Sequence, residues 1–265
     1  MAHNALKARL IAGETVFGIW SLIPSPTLVE LIGTAGMDFV ILDGEHGPFD
    51  ISTLEDCIRA AEGANCAPLV RVPGLDAQFI QRALDLGPHG IVMPQVADYD
   101  AAQKAVACMH YAPRGTRGFN PFTRAGHYGV TAKREQSKQA GDFMLSCVMI
   151  ENPKAFQDLD RILTIPDLDM IYLGVYDYSV LMGCPGKIDD PRVMEFMQIC
   201  AAKTRAAGKI LGMLAKTPEE LERFIGLGAT LITWLTDTWL IQGAVVQSID
   251  IFHKARDKAR NKAGK

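Results

Sequence analysis

The sequence predicts an α/β protein folded as a single (β/α)8 barrel. Three observations predict it. Short apolar, β-rich runs recur eight times, each run is followed by a stretch with helical spacing, and no linker rich in Pro, Gly or Ser divides the 265 residues. The first run is TVFGIWSL (Thr15 to Leu22), followed by SPTLVELIGTAG, where Ser25 suits an N-cap and Pro26 the first helical position. DFVILDG from Asp38 leads into ISTLEDCIRAAEGA, PLVRVPG from Pro68 into DAQFIQRALDLG, and GIVMPQV from Gly90 into DYDAAQKAVACMHYA. After a longer excursion between Pro113 and Asp142 come FMLSCVMIEN from Phe143 with PKAFQDLDRILTI, and MIYLGVYD from Met170 with the helical stretch near PRVMEFMQICAAKTRAAG. ILGMLA from Ile210 with TPEELERFIGLG, and ATLITWLTD from Ala229 with a long carboxy-terminal helix from about residue 238, complete the series. Runs this apolar belong to a parallel sheet covered by helices, and eight such strands close a barrel. An open doubly wound sheet fits less well, because IPSPTL after the first strand is no G-x-G-x-x-G loop.

Composition narrows the partners. Hydrophobic residues make up 48% and charged residues 22%, and Lys plus Arg (27) against Asp plus Glu (30) leaves a formal charge of -3. That balance excludes disorder and offers no basic field for nucleic acid or an anionic membrane, so small molecules or copies of the chain itself are expected. No apolar run approaches the roughly 20 residues of a membrane helix, and MAHNALKARL has no signal-peptide core, so a cytosolic protein is expected. Six scattered cysteines without a C-x-x-C pair read as reduced, buried thiols. The basic tail FHKARDKARNKAGK reads as a solvated helix end.

A barrel of this kind places its chemistry at the carboxy-terminal ends of the strands. Those ends hold Asp43, Glu45 and His46 after the second run, Arg71 after the third, Glu151 and Asn152 after the fifth, Asp177 after the sixth, Lys216 after the seventh and Asp237 after the eighth. Glu151 and Asp177 close adjacent strands, about 4.8 Å apart in a sheet, so their carboxylates can converge on one cation. Oxygen-only ligation with room for water suits Mg²⁺ or Mn²⁺. Arg71 offers fork-shaped donors to an enolate or carboxylate oxygen, and His46, with Asp43 three residues earlier to fix its tautomer, offers a proton acceptor near neutral pH. Such a set is suited to enolising a pyruvate-like group.

These residues, together with NALKARLIAGETVFGIW, DFVILDGEHGPFD, PLVRVPG, ALDLGPHGIVMPQV, YAPRGTRG, CVMIEN and GVYDYSVLMGCPG, resemble the metal-dependent class II pyruvate aldolases of the HpcH/HpaI family across nearly the whole chain. The resemblance implies that Glu151 and Asp177 hold a divalent ion, Mg²⁺ or Mn²⁺ with Co²⁺ as a third choice. It also implies a His46–Asp43 proton-transfer dyad, Arg71 as the enolate stabiliser, and backbone N–H groups over Gly174, Val175, Tyr176 and Asp177 that hold the pyruvate carboxylate. By the same resemblance Glu45 lies near waters at the ion and Asp85 approaches a neighbouring subunit's site. The family's hexamer, with exchanged carboxy-terminal helices, implies a homo-oligomer. The chain departs from the family pattern at Met149, where Gln is usual, in Gly-Val-Tyr-Asp-Tyr-Ser where Gly-Pro-Ala/Ser-Asp-Leu-Ser is usual, and at Trp234-Leu235-Thr236-Asp237, which lacks the customary Gly.

The expected activity is cleavage or formation of a 4-hydroxy-2-oxo acid through a pyruvate enolate, from a 2-oxo acid and an aldehyde, with oxaloacetate decarboxylation as a side reaction. His46 or a water on the ion serves as the base. Alternatives are a Schiff-base aldolase using Lys216, an acyl-CoA lyase of the same superfamily, and a non-catalytic 2-oxo-acid binding protein. The excursion from Pro113 to Asp142 is expected to cover the rim and touch the aldehyde half of the substrate.

Overall fold

Eight parallel strands hydrogen-bond in chain order and close on themselves, with β1 (Val16–Ser21) pairing both β2 (Phe39–Asp43) and β8 (Leu231–Thr236). Between them run β3 (Ala67–Arg71), β4 (Gly90–Met93), β5 (Leu145–Ile150), β6 (Met170–Leu173) and β7 (Ile210–Ala215). The computed structural model describes residues 4–130 and 142–263. Helices α1 (Ala5–Ile11), α2 (Pro26–Thr34), α3 (Ile51–Gly63), α4 (Ala77–Asp85), α5 (Tyr99–Met109), α6 (Pro153–Gln157), α7 (Leu159–Leu163), α8 (Val175–Leu181), α9 (Pro191–Ala206), α10 (Pro218–Leu227) and α11 (Asp237–Ala263) surround the barrel. Ser25 caps α2 with Pro26 behind it, as its sequence predicts, and Asp50, Asp76, Asp98, Asn152 and Thr217 cap the helices that follow five other strands. No described helix is long and apolar enough to cross a membrane.

The strands are apolar on both faces because both faces are buried. Phe39, Ile41, Leu69, Val92, Cys147, Met149, Tyr172 and Leu231 point into the barrel, while Val40, Leu42, Val70, Ile91, Val148, Ile150, Ile171 and Ile232 pack outward against helices. Gly212 makes this interior possible, since a Cβ there would stand 2.6 Å from the Tyr172 ring.

Helix α1, which the strand and helix alternation does not announce, seals the amino-terminal mouth. Leu6 and Leu10 join the interior cluster, Asn4 donates to the carbonyls of His89 and Phe143, and Lys7 reaches the Met144 carbonyl and pairs with Asp169 at 2.8 Å. The excursion after α5 lies at this same end. Arg114 pairs with Asp142 and Asp167, Arg117 with Asp85 at 2.8 Å, and Arg124 with Glu62 at the end of α3. The expectation that it covers the chain's own active-site rim is corrected for the described part: a helix-to-strand connection returns to the amino-terminal end of the next strand, opposite the rim. Residues 131–141 of the excursion lie outside the described residues.

Two further expectations change. The sixth strand stops at Leu173, so Asp177 stands in the first turn of α8 rather than in the strand run. The stretch PKAFQDLDRILTI forms two short helices that meet at Asp158, whose side chain instead accepts the Tyr99 N–H at 3.0 Å.

Candidate active site

Asp43 and Arg71 are the last residues of β2 and β3 and stand opposite each other in register. Arg71 donates from Nε to Asp43 Oδ1 at 2.8 Å and from Nη2 to Oδ2 at 2.5 Å, a two-pronged contact in which Asp43 is 1% exposed. The guanidinium also pairs through Nη1 with Glu45 at 3.0 Å and lies 4.3 Å over the Trp20 ring. Burial pulls the Arg71 pKa down, but the Asp43 hydrogen bonds and the charges of Asp43 and Glu45 outweigh it, so the net shift is upward and the cation is permanent.

The same Asp43 oxygen, Oδ1, accepts the backbone N–H groups of Glu45 and His46 at 3.1 and 3.2 Å. Asp43 therefore shapes the turn that carries His46 and spends its side chain on Arg71. The His46 residue is exposed, and its ring makes no hydrogen bond to a described residue, so the expected ring-to-carboxylate dyad is replaced by a link through the backbone.

Glu151 follows β5 and is 6% exposed. Its Oε1 accepts the Gln95 backbone N–H, and the Gln95 side chain donates to Glu45 at 2.5 Å. Gln95 does both from a left-handed backbone, φ +53°, unusual for a residue with a side chain. Burial raises the Glu151 pKa to about 7; the charges of Asp177 and Glu45 add to the rise, against the Gln95 N–H and Arg71. Gly174 lets α8 pass this carboxyl, since a Cβ there would stand 2.5 Å from Glu151 Oε2. Asp177 forms no ion pair or hydrogen bond with a described residue. Two carboxylates that repel each other, one buried and one open to solvent, fit a hard divalent cation. Among the described residues no group of three or more His, Cys, Asp or Glu side chains could hold a metal ion, and Glu151 and Asp177 stand as a pair.

Beneath Arg71 lies a polar triangle inside the barrel. Trp20 Nε1 donates to the Tyr172 hydroxyl at 2.9 Å and to Thr233 at 3.1 Å, and the two hydroxyls are 2.6 Å apart. Met149, 3% exposed, completes the wall with its sulfur 4.0 Å from Arg71 Nη1. Asp237 and Asn152, also at strand ends, have structural partners. Asp237 binds the Leu22 and Ile23 N–H groups and the Ser21 hydroxyl, and Asn152 caps α6 while donating to the Val96 carbonyl. Lys216 stands over the Tyr176 ring, and Asp85 is held by Arg117 at the opposite end of the barrel. Reasoning from strand ends missed Gln95, although it stands just beyond the fourth strand, and missed Trp20 and Thr233, whose signal is only their inward parity.

The arrangement has close relatives. The model of the HpcH/HpaI aldolase/citrate lyase family matches residues 16–243. A 5-keto-4-deoxy-D-glucarate aldolase of Salmonella paratyphi A is 33% identical over 251 residues, covering 95% of this chain and 97% of that protein. Among solved structures, the citrate synthase SbnG superposes with a TM-score of 0.87 at 30% identity, covering 95% of this chain and 98% of that one. A family protein from Burkholderia cenocepacia J2315 gives 0.88 at 28%, with 94% and 99% covered. Matching sequence along nearly its whole length and a closed eight-stranded barrel together show that the chain belongs to the HpcH/HpaI aldolase/citrate lyase family and is a carbon–carbon lyase.

Proposed function

We propose that the chain is a metal-dependent aldolase that cleaves, or in reverse forms, a 4-hydroxy-2-oxo acid through a pyruvate enolate, with weak oxaloacetate decarboxylation through the same enolate. The observation that carries this reading is the Arg71 fork, fixed by Asp43 and Glu45 at the rim that also holds the Glu151 and Asp177 pair. Glu151 and Asp177 hold the divalent ion, Mg²⁺ or Mn²⁺ with Co²⁺ as a third choice, and the ion supplies polarisation of the 2-oxo oxygen.

The chain's own groups do the rest. Arg71 has five N–H donors, and those not spent on Asp43 and Glu45 remain for the oxygen that gains charge as the C3–C4 bond breaks. The His46 ring, exposed and unpaired among the described residues, takes the C4 hydroxyl proton as that oxygen becomes the aldehyde carbonyl. A proton delivered to C3 then completes pyruvate. Met149 and the Gly174–Tyr176 backbone border the 2-oxo acid, and Glu45 steadies Arg71. Asp85, at the far end of its own barrel, serves a neighbouring subunit in a homo-oligomer, the hexamer of the family, with α11 exchanged between copies. The name of one relative, a 5-keto-4-deoxy-D-glucarate aldolase, supports a small polar substrate here too.

Pyruvate release from a panel of 4-hydroxy-2-oxo acids tests the reading. Excess EDTA is expected to abolish it, and Mg²⁺, Mn²⁺ or Co²⁺ to restore it. Glu151→Gln with Asp177→Asn should stay folded by circular dichroism and bind no ion by calorimetry. Full activity in EDTA with no metal by elemental analysis overturns the proposal.

A further inference from the structure

We infer that Gln95 is a positioning residue that sets how many carboxylates reach the divalent ion, by steadying Glu151 in the site and holding Glu45 off it. The inference rests on the aldolase reading above and concerns a residue that this reading leaves idle. Gln95 stands two positions beyond the last residue of β4, in a loop tied twice to the end of β5. The Gln95 N–H is donated to Glu151 Oε1, and the Val96 carbonyl accepts Asn152 Nδ2 at 2.8 Å. Val96 is buried, whereas Gln95 is exposed and fills no space in the core. A glutamine held at φ +53° without packing has another reason for its side chain, because glycine adopts that backbone at no steric cost.

That side chain goes to Glu45. Gln95 Nε2 donates to Glu45 Oε1 at 2.5 Å, and Arg71 Nη1 pairs with Glu45 Oε2 at 3.0 Å. Each oxygen of Glu45 therefore has its own donor, and the side chain is 9% exposed. The two contacts of Gln95 act in opposite senses, since its N–H fixes one carboxylate beside Asp177 and its amide turns another towards Arg71. Glu45, Glu151 and Asp177 bring three carboxylates to this rim, close enough for the charges of the other two to be felt at Glu151. Two carboxylates neutralise a divalent ion. A third holds the ion more tightly but leaves it in an anionic cage, which repels an anionic 2-oxo acid and weakens the pull on its 2-oxo oxygen. The Gln95 amide keeps the number at two.

The test uses Gln95→Gly, which keeps the left-handed backbone and its N–H and removes the amide. Gln95→Asn, one methylene shorter, gives the same comparison should Gln95→Gly not fold. Calorimetric titration of the metal-free proteins with Mn²⁺ is expected to give a Kd about 10-fold lower for Gln95→Gly than for wild type. In the Mn²⁺-loaded proteins, affinity for pyruvate is expected to fall about 10-fold by the same change. Opposite movements of the two affinities separate this role from a general loosening of the site, which lowers both. In a Glu45→Gln background, Gln95→Gly is expected to leave Mn²⁺ affinity within about 2-fold. Mn²⁺ binding that is unchanged or weaker in Gln95→Gly, tightening by the same factor without the Glu45 carboxylate, or pyruvate binding that does not weaken overturns the positioning role and leaves the aldolase reading standing. A wild type that binds no divalent ion overturns both.

Discussion

Glu151 shows how one carboxyl can cost stability and still be kept. Its pKa is about 7 in the folded chain against an ordinary value of 4.5, so the fold binds this proton more tightly than the unfolded chain does. Its contribution is fully present below about pH 4.5, falls as pH rises to about 7 and is level above that, a loss of about 3 kcal/mol in the metal-free protein. Glu151→Gln still accepts the Gln95 N–H but has no proton to lose. In EDTA, its urea midpoint is expected to rise relative to wild type between pH 5 and pH 7 and to keep that lead at pH 8. A lead independent of pH overturns the assignment. At this scale Asp43, Arg71, Glu151 and Asp177 were legible because a charged residue at the end of an apolar run stands out. The pairing of Asp43 with Arg71 rather than with the His46 ring was not, because spacing along the chain says nothing about which partner across the sheet lies in register. Gln95 was missed because its part depends on a left-handed backbone that its neighbours impose.

Strands and helices were read more faithfully than their ends. Period-two burial on both faces makes β1 to β8 visible as apolar runs, whereas α8 hides inside one, since Gly-Val-Tyr-Asp continues the apolar character of β6 into a helix. The interior triangle joins three strands, with Trp20 on β1, Tyr172 on β6 and Thr233 on β8. A buried network of this kind acts as a unit. Tyr172→Phe and Thr233→Val are each expected to cost about 1–3 kcal/mol in urea unfolding, and the double variant less than their sum. Strict additivity would show that the two hydroxyls act separately. Because Arg71 rests on the Trp20 ring, Tyr172→Phe is also expected to lower kcat in pyruvate release while ion affinity, measured by calorimetry, holds.

The whole molecule is lopsided in what it leaves uncovered. Helix α11 contacts its own chain chiefly at β1 and β8, yet Trp239, Ile241, Val245, Ile249, Ile251 and Phe252 along it are exposed. So long an apolar surface is costly in water unless another molecule covers it. Light scattering is expected to show an oligomer for the full chain and a smaller species for a chain ending at residue 237. Equal masses would remove α11 from the assembly. The barrel itself was legible from eight repeats of one pattern, and the placing of the excursion was not, since composition does not say which mouth a loop frames.

The plug at the closed mouth also constrains the order in which the molecule can be completed. Asn4 waits for the carbonyls of His89 and Phe143, and Lys7 for Met144 and Asp169, so α1 has no place to dock until the segments that lead into β4, β5 and β6 have come together. Closing so long a loop comes late, after the local βα units have formed. The helix that stands before all eight strands in the chain therefore locks only after the segments that lead into three of them, and α1 ties together parts of the barrel that are far apart in sequence.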